Sequence, residues 1–141
     1  MDLIADIGAT NSRCALLDDR GLVVSAETFQ NEAFDGLEGV LRVYLDHRRA
    51  SDRPRRAALA VAAPVFGDDV QMLNIGWRFS QGELRNELGL SRLTVVNDFA
   101  AVAWSLPSLG PQDRHQVGGG TPMTRMPLAV VGPGTGLGVA T

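Results

Sequence analysis

Apolar residues fall in short runs separated by turn residues, and the spacing within each run predicts an element. Leu3 to Ile7 is an apolar stretch broken only by the carboxylate of Asp6, and Gly8-Ala9-Thr10-Asn11 after it suits a tight turn. Arg13 to Leu17 predicts a second strand, Asp18-Asp19-Arg20-Gly21 a turn, and the alternation from Leu22 to Phe29 a third strand, so the chain opens as a meander. From Asp35 the period changes. Leu37, Val40, Leu41, Tyr44 and Leu45 follow the one-sided spacing of a helix, and Asp35 and Glu38 are spaced as a capping box.

Ser51 to Arg56 is a polar loop containing Pro54, and the small apolar run Ala57 to Ala63 predicts a central strand covered on both faces and ended by Pro64. Gly67-Asp68-Asp69 turns the chain, Val70 to Ile75 is short and extended, and Ser80-x-x-Glu83 caps a helix that stops at Gly89. Leu93 to Val96 is a further buried strand, Phe99 to Leu106 a helix closed by Pro107, and Gly110 to Pro127 a loop or linker. Leu128 to Val131 is a last strand leading into Gly132-Pro133-Gly134-Thr135-Gly136-Leu137-Gly138. A meander feeding alternating strands and helices is the order of an α/β, ribonuclease-H-like domain, a mixed sheet flanked by helices. Residues 1–110 are expected to form that lobe, 111–127 a linker, and 128–141 the first strand and loop of a second, similar lobe. At an offset of 125, Leu3/Leu128, Thr10/Thr135 and Ala15/Ala140 coincide, which points to a duplicated loop.

Composition narrows the chemistry. All 13 basic side chains are arginine, so a P-loop NTPase, a protein kinase and Schiff-base catalysis, each of which needs a lysine, are excluded. One cysteine and two distant histidines leave no zinc framework, so any metal is expected to be a hard cation held by oxygens. An apolar content of 45% is ordinary for a soluble protein, and no apolar run reaches a membrane span. The N-terminus shows no export signal, so the expected location is the cytoplasm, with no membrane partner. A net charge of -3 argues against nucleic acid. The cluster Arg48, Arg49, Arg53, Arg55 and Arg56 reads as a solvated helix C-terminus, since no aromatic interleaves it.

Four stretches could carry chemistry. Asp6-Ile7-Gly8-Ala9-Thr10-Asn11 delivers a carboxylate into a turn of small and hydroxyl residues, which can offer N–H groups to a phosphate with a hydrated cation at Asp6; a plain hairpin turn with Asp6 as a cap is the alternative. The glycines from Gly132 to Gly138 allow close backbone approach to an anion without matching the dinucleotide fingerprint, or form a flexible terminus. Asn97-Asp98 ends a buried strand and starts a helix, where a carboxylate is placed either as a general base or as an N-cap. Asn74 and Trp77 lie on a loop between strand and helix, the tryptophan serving as a core anchor or a sugar-site wall.

Asp6-Ile7-Gly8-Ala9-Thr10-Asn11-Ser12-Arg13, Asn74-Ile75-Gly76-Trp77-Arg78-Phe79-Ser80, Asn97-Asp98-Phe99-Ala100-Ala101 and Gly132 to Ala140 together resemble the bacterial glucokinase family in content and order. The resemblance implies an actin-like ATPase fold and ATP-dependent phosphorylation of glucose at its 6-hydroxyl, with Mg²⁺, in glycolysis. It implies Asp98 as general base, Asn97 and Asn74 as further sugar-side residues, and Asp6, Ile7, Gly8, Ala9, Thr10 and Asn11 as the first phosphate loop, with Asp6 on the metal through water. Gly134, Thr135 and Gly136 are implied as the second phosphate loop. A lysine-free chain can do this, because phosphoryl transfer needs positioning and charge neutralisation more than covalent help.

Two positions depart from the family pattern. Ala9 stands where the family usually has glycine, and a left-handed backbone there would cost about 1–2 kcal/mol and weaken nucleotide binding. Leu73 replaces a threonine. The family's Glu-x-x-His segment, a further glutamate, the adenosine pocket and the helix that packs back on the first lobe are absent from these residues, so the chain is expected to be the N-terminal part, inactive alone. The competing expectation is a non-catalytic sugar- or nucleotide-binding or regulatory module, for which a homodimer is expected.

Overall fold

The structure, a computed structural model, describes residues 1–121, 123, 125–133 and 137–141. Along the chain the strands are β1 (Asp2–Ile7), β2 (Asn11–Leu17), β3 (Val23–Gln30), β4 (Arg56–Val61), β5 (Asp69–Met72), β6 (Trp77–Ser80), β7 (Arg92–Asn97), β8 (Val130–Pro133) and β9 (Leu137–Ala140). The helices are α1 (Leu37–Asp46), α2 (Gln81–Glu87) and α3 (Asp98–Ser105). Contacts divide the chain into two compact units, Met1–Asp98 and Phe99–Thr141.

The first unit is built on a five-stranded sheet in the order β3-β2-β1-β4-β7. Short turns make β1, β2 and β3 antiparallel neighbours, whereas the longer connections through α1 and α2 bring β4 and β7 in parallel to β1. This is the α/β architecture expected from the element order. Strand alternation sends Leu3, Ala5 and Ile7 of β1, Cys14 and Leu16 of β2, and Ala57, Leu59 and Val61 of β4 to one face. There they share a core with Leu37, Val40, Leu41, Tyr44 and Leu45, the helical stripe of α1. The β5–β6 hairpin adds Val70, Met72, Trp77 and Phe79 to the same core. In the second unit, α3 and the β8–β9 hairpin hold no buried residue among those described.

Several local expectations change. The capping box at Asp35 does not form: Gly36 is the N-cap of α1 and no side chain caps it. Val70 to Ile75 is shorter than expected, because residues 73–76 turn the chain with Gly76 at φ 71° and Trp77 starts a strand of its own. Trp77 therefore sits on β6 rather than on a loop, and it is buried. Ser80 does cap α2, accepting a hydrogen bond from the Glu83 N–H at 3.1 Å, and Gly89 follows the helix at φ 65°.

The arginine cluster is not simply solvated. Arg48 lies over the Tyr44 ring, 4.4 Å from its centroid, and pairs with Glu27. The Tyr44 hydroxyl donates to the Ser25 carbonyl at 3.0 Å, where β3 passes an irregularity with Ser25 at φ 55°. Arg56 grips Asp2 with two hydrogen bonds of 3.0 and 2.6 Å and holds its carboxyl below the usual range.

Candidate functional site

The site begins with sheet register. Ser12, Ile7, Val61 and Asn97 stand in one row across β2, β1, β4 and β7. Gly8 and Asp98 are each one residue beyond that row, at the C-terminal edge of the parallel strands, where open α/β sheets place ligand groups. β1 and β7 are two inter-strand spacings apart, so the Gly8 turn and Asp98 face the same edge about 10 Å from one another.

The turn is closed by the Gly8 N–H donating to the Asn11 carbonyl at 2.9 Å. Among the described residues, the N–H groups of Ala9 and Thr10 meet no acceptor, so the turn offers donors as an anion site requires. Ala9 carries its methyl without strain: Ser25 and Arg125 are the described non-glycine residues with positive φ, and Ala9 is not among them. The expected backbone penalty at Ala9, and the weakened binding derived from it, lose their basis.

Asp6 and Asn11 lie on the sheet face opposite the core. Asp6 is half exposed and accepts from Arg13 at 3.1 Å across the β1–β2 pair, so it caps no backbone there. Asn11 Oδ1 is buried and has no donor among the described residues. An oxygen lacking a donor, on the same face as a carboxylate, suits a hard cation that keeps most of its water, and the described residues contain no cluster of three His, Cys, Asp or Glu that would cage one. The oxygens present therefore fit Mg²⁺ held largely by water and phosphate.

At the other end of the row, the Asn97 side-chain amide donates to the Ala63 carbonyl at 3.2 Å and to Asp98 Oδ1 at 2.9 Å. Those bonds tie Asn97 to the end of β4 and set one carboxylate oxygen of Asp98. Both residues are half-buried. A cleft of about 360 Å³ opens beside the turn, lined by Ala9, Thr10, Asn31, Glu32, Ile75 and Trp77 among others. The fold thus brings the β5–β6 hairpin against the Gly8–Asn11 turn. Asn74 is exposed in that hairpin and does not line the cleft, and Leu73 is 75% exposed. Gly134, Thr135 and Gly136 lie outside the described residues. Next to them, a Cβ added at Gly132 would come within 2.8 Å of the Phe99 ring, which uses the space that the missing side chain leaves.

Sequence reasoning missed Asn31. It is 4% exposed and accepts from the Ser12 hydroxyl at 2.7 Å, while its own amide donates to the Gly8 carbonyl at 2.9 Å. Its signal was faint, the middle one of three consecutive polar residues, Gln30-Asn31-Glu32, and only the β2–β3 register brings it to the turn.

A five-stranded mixed sheet of this order, with helices between its parallel strands, is that of the ribonuclease-H-like, actin-like ATPase fold. The glucokinase family model matches residues 3–141, and the chain belongs to the glucokinase family. It is 43% identical over 141 residues to a glucokinase of Psychromonas ingrahamii, covering 99% of this chain and 43% of that protein. It is 44% identical over 140 residues to a glucokinase of Paramagnetospirillum magneticum, covering 99% of this chain and 44% of that one. Among solved structures, a glucokinase from an Antarctic psychrotroph superposes with a TM-score of 0.83 at 35% identity, covering 98% of this chain and 44% of that chain. A ROK family glucokinase from Streptomyces griseus, solved with glucose and AMPPNP, shares the fold at 21% identity and a TM-score of 0.66. The chain thus spans less than half the length of these relatives. Among the described residues, no helix is long and apolar enough to cross a membrane.

Proposed function

We propose that the chain supplies the phosphate turn and the general base of an ATP-dependent glucose 6-kinase, working in the cytoplasm. One observation carries the reading: the donor-rich turn after β1 and Asn97-Asp98 after β7 share one sheet edge, about 10 Å apart. That gap suits a terminal phosphate at one end and a sugar hydroxyl at the other. In this reading residues 1–110 form the first lobe, 111–127 the linker and 128–141 the opening of the second, whose remainder corresponds to the rest of the relatives' length.

The glucose 6-hydroxyl oxygen attacks the γ-phosphorus of ATP, the bond from phosphorus to the bridging β–γ oxygen breaks, and ADP leaves. The hydroxyl proton passes to the Asp98 carboxylate. Asn97 keeps that carboxylate aimed and meets a sugar hydroxyl, with Asn74 on the sugar side. Gly8, Ala9, Thr10 and Asn11 hold the phosphates, and Gly134, Thr135 and Gly136 are read as a second phosphate loop. Asp6 and Asn11 Oδ1 are the groups that would hold Mg²⁺, and the exposed Arg13 partner of Asp6 is weakly enough bound to exchange. When bound, the metal would supply charge neutralisation on the phosphates.

The test is a chimera in which this chain replaces the aligned segment of the Psychromonas ingrahamii glucokinase. Glucose 6-phosphate should form, measured by a coupled dehydrogenase, and should require both ATP and Mg²⁺. A folded chimera that binds sugar or nucleotide in calorimetry without turnover would instead favour a binding module.

A further inference from the structure

We propose that Asn31 is a positioning residue that aims the Ala9 N–H at the transferred phosphate. The inference rests on the kinase reading of the turn. An anion site needs its carbonyls turned away and its N–H groups turned outward, and in a trans peptide the C=O and N–H of one plane point in opposite directions. Holding a carbonyl therefore aims the next N–H. Asn31 holds two carbonyls of the turn: its side-chain amide donates to Gly8 C=O at 2.9 Å, and its backbone N–H donates to Thr10 C=O at 2.9 Å. The first bond sends the Ala9 N–H the other way, and the second does the same for the N–H of Asn11.

The side chain of Asn31 is itself fixed. Ser12, fully buried, donates its hydroxyl to Asn31 Oδ1 at 2.7 Å, so the amide is held with its nitrogen toward Gly8. Ser12 stands in register with Ile7, and Asn31 follows the end of β3, so the clamp joins both ends of the β1–β2–β3 meander at the turn. A buried, doubly satisfied amide is costly to disturb, which is why it can hold a loop that is otherwise a tight turn of small residues.

Asn31→Asp tests this. The variant keeps the shape and the Ser12 bond, but sets a carboxylate oxygen against the Gly8 carbonyl. The experiment is a ¹⁵N-resolved NMR titration of the 141-residue chain with Mg·ATP, read at the Ala9 amide. Wild type should show a downfield Ala9 proton shift. Asn31→Asp and Asn31→Ala should lose that shift and bind about tenfold more weakly. Ser12→Ala, which leaves Asn31 in place and guards against a clamp variant that fails to fold, should bind about threefold more weakly with a reduced Ala9 shift. A purely structural role would lower the melting temperature yet leave the Ala9 shift and the affinity of the folded fraction unchanged, and that result would overturn the inference while sparing the kinase reading. A wild-type chain that binds Mg·ATP, as shifts elsewhere in its spectrum report, without any response at the Ala9 amide would overturn the phosphate reading of the turn and the role of Asn31 with it.

Discussion

The two units of the chain use apolar residues in opposite ways. Met1–Asp98 puts most of its leucines and valines, with Tyr44, Trp77 and Phe79, into one core, leaving Leu22, Val23, Phe66 and Leu73 outside it, and that core holds the strand ends from which the site projects. Phe99–Thr141 is just as apolar along α3, yet Trp104 is 68% exposed, Val117 89% and Leu137 72%. Apolar content alone therefore does not make a core; it needs facing surfaces, and the first unit supplies its own through the sheet and α1. The relatives, more than twice as long, provide chain from which facing surfaces for the second unit can come.

Stability measurements can break this comparison. Leu41→Ala, in the middle of the α1 stripe, should cost about 2–5 kcal/mol in denaturant unfolding, because a fully buried leucine leaves a cavity. A loss under about 1 kcal/mol would mean that the first unit is not packed as described.

Alkaline unfolding gives the next effect. Burial pushes the Cys14 thiol up to about 12, against an ordinary value of 9.0. Its folded pKa is the higher one, so its stabilising contribution is complete below pH 9.0 and is lost as the pH rises toward 12. The thiol should also resist a disulfide reagent until the first unit unfolds, and fast native labelling would contradict its burial.

Ser80→Ala, which removes the cap of α2, should cost about 1 kcal/mol. The same hydroxyl holds the Asp68 carboxyl below its usual range, so the variant should raise the Asp68 pKa as read by NMR titration. Trp104→Ala should be the smallest change, within about 0.5 kcal/mol for this chain, because its side chain is mostly exposed. A large loss there would show that the second unit has a core after all.

Much of the fold was legible because period and burial coincide in it. The α1 stripe and the strands from Leu3 to Ile7 and Leu93 to Val96 announce themselves by spacing, and Gly89 marks a real stop. The start of α1 was misread because Asp35 has the right spacing for a cap, but the backbone begins the helix after Gly36. β6 was missed because Trp77 to Ser80 is only four residues long and owes its strand geometry to pairing with β5. At the site, Asp6 to Asn11 and Asn97-Asp98 could be found from residue type and order. Their common edge could not, since it depends on the parallel register of β1, β4 and β7. Asn31 was hidden for the same reason, its partners Gly8 and Ser12 being 23 and 19 residues away.

The central claim is that Asp98, across the sheet edge from the Gly8 turn, takes the hydroxyl proton. The most direct measurement is the steady-state rate of glucose 6-phosphate formation by the chimera and its Asp98→Asn variant, with the affinity for Mg·AMPPNP measured alongside. The account predicts that kcat falls roughly 10²–10⁴-fold while nucleotide affinity stays the same. Unchanged kcat in a folded Asp98→Asn variant would contradict it.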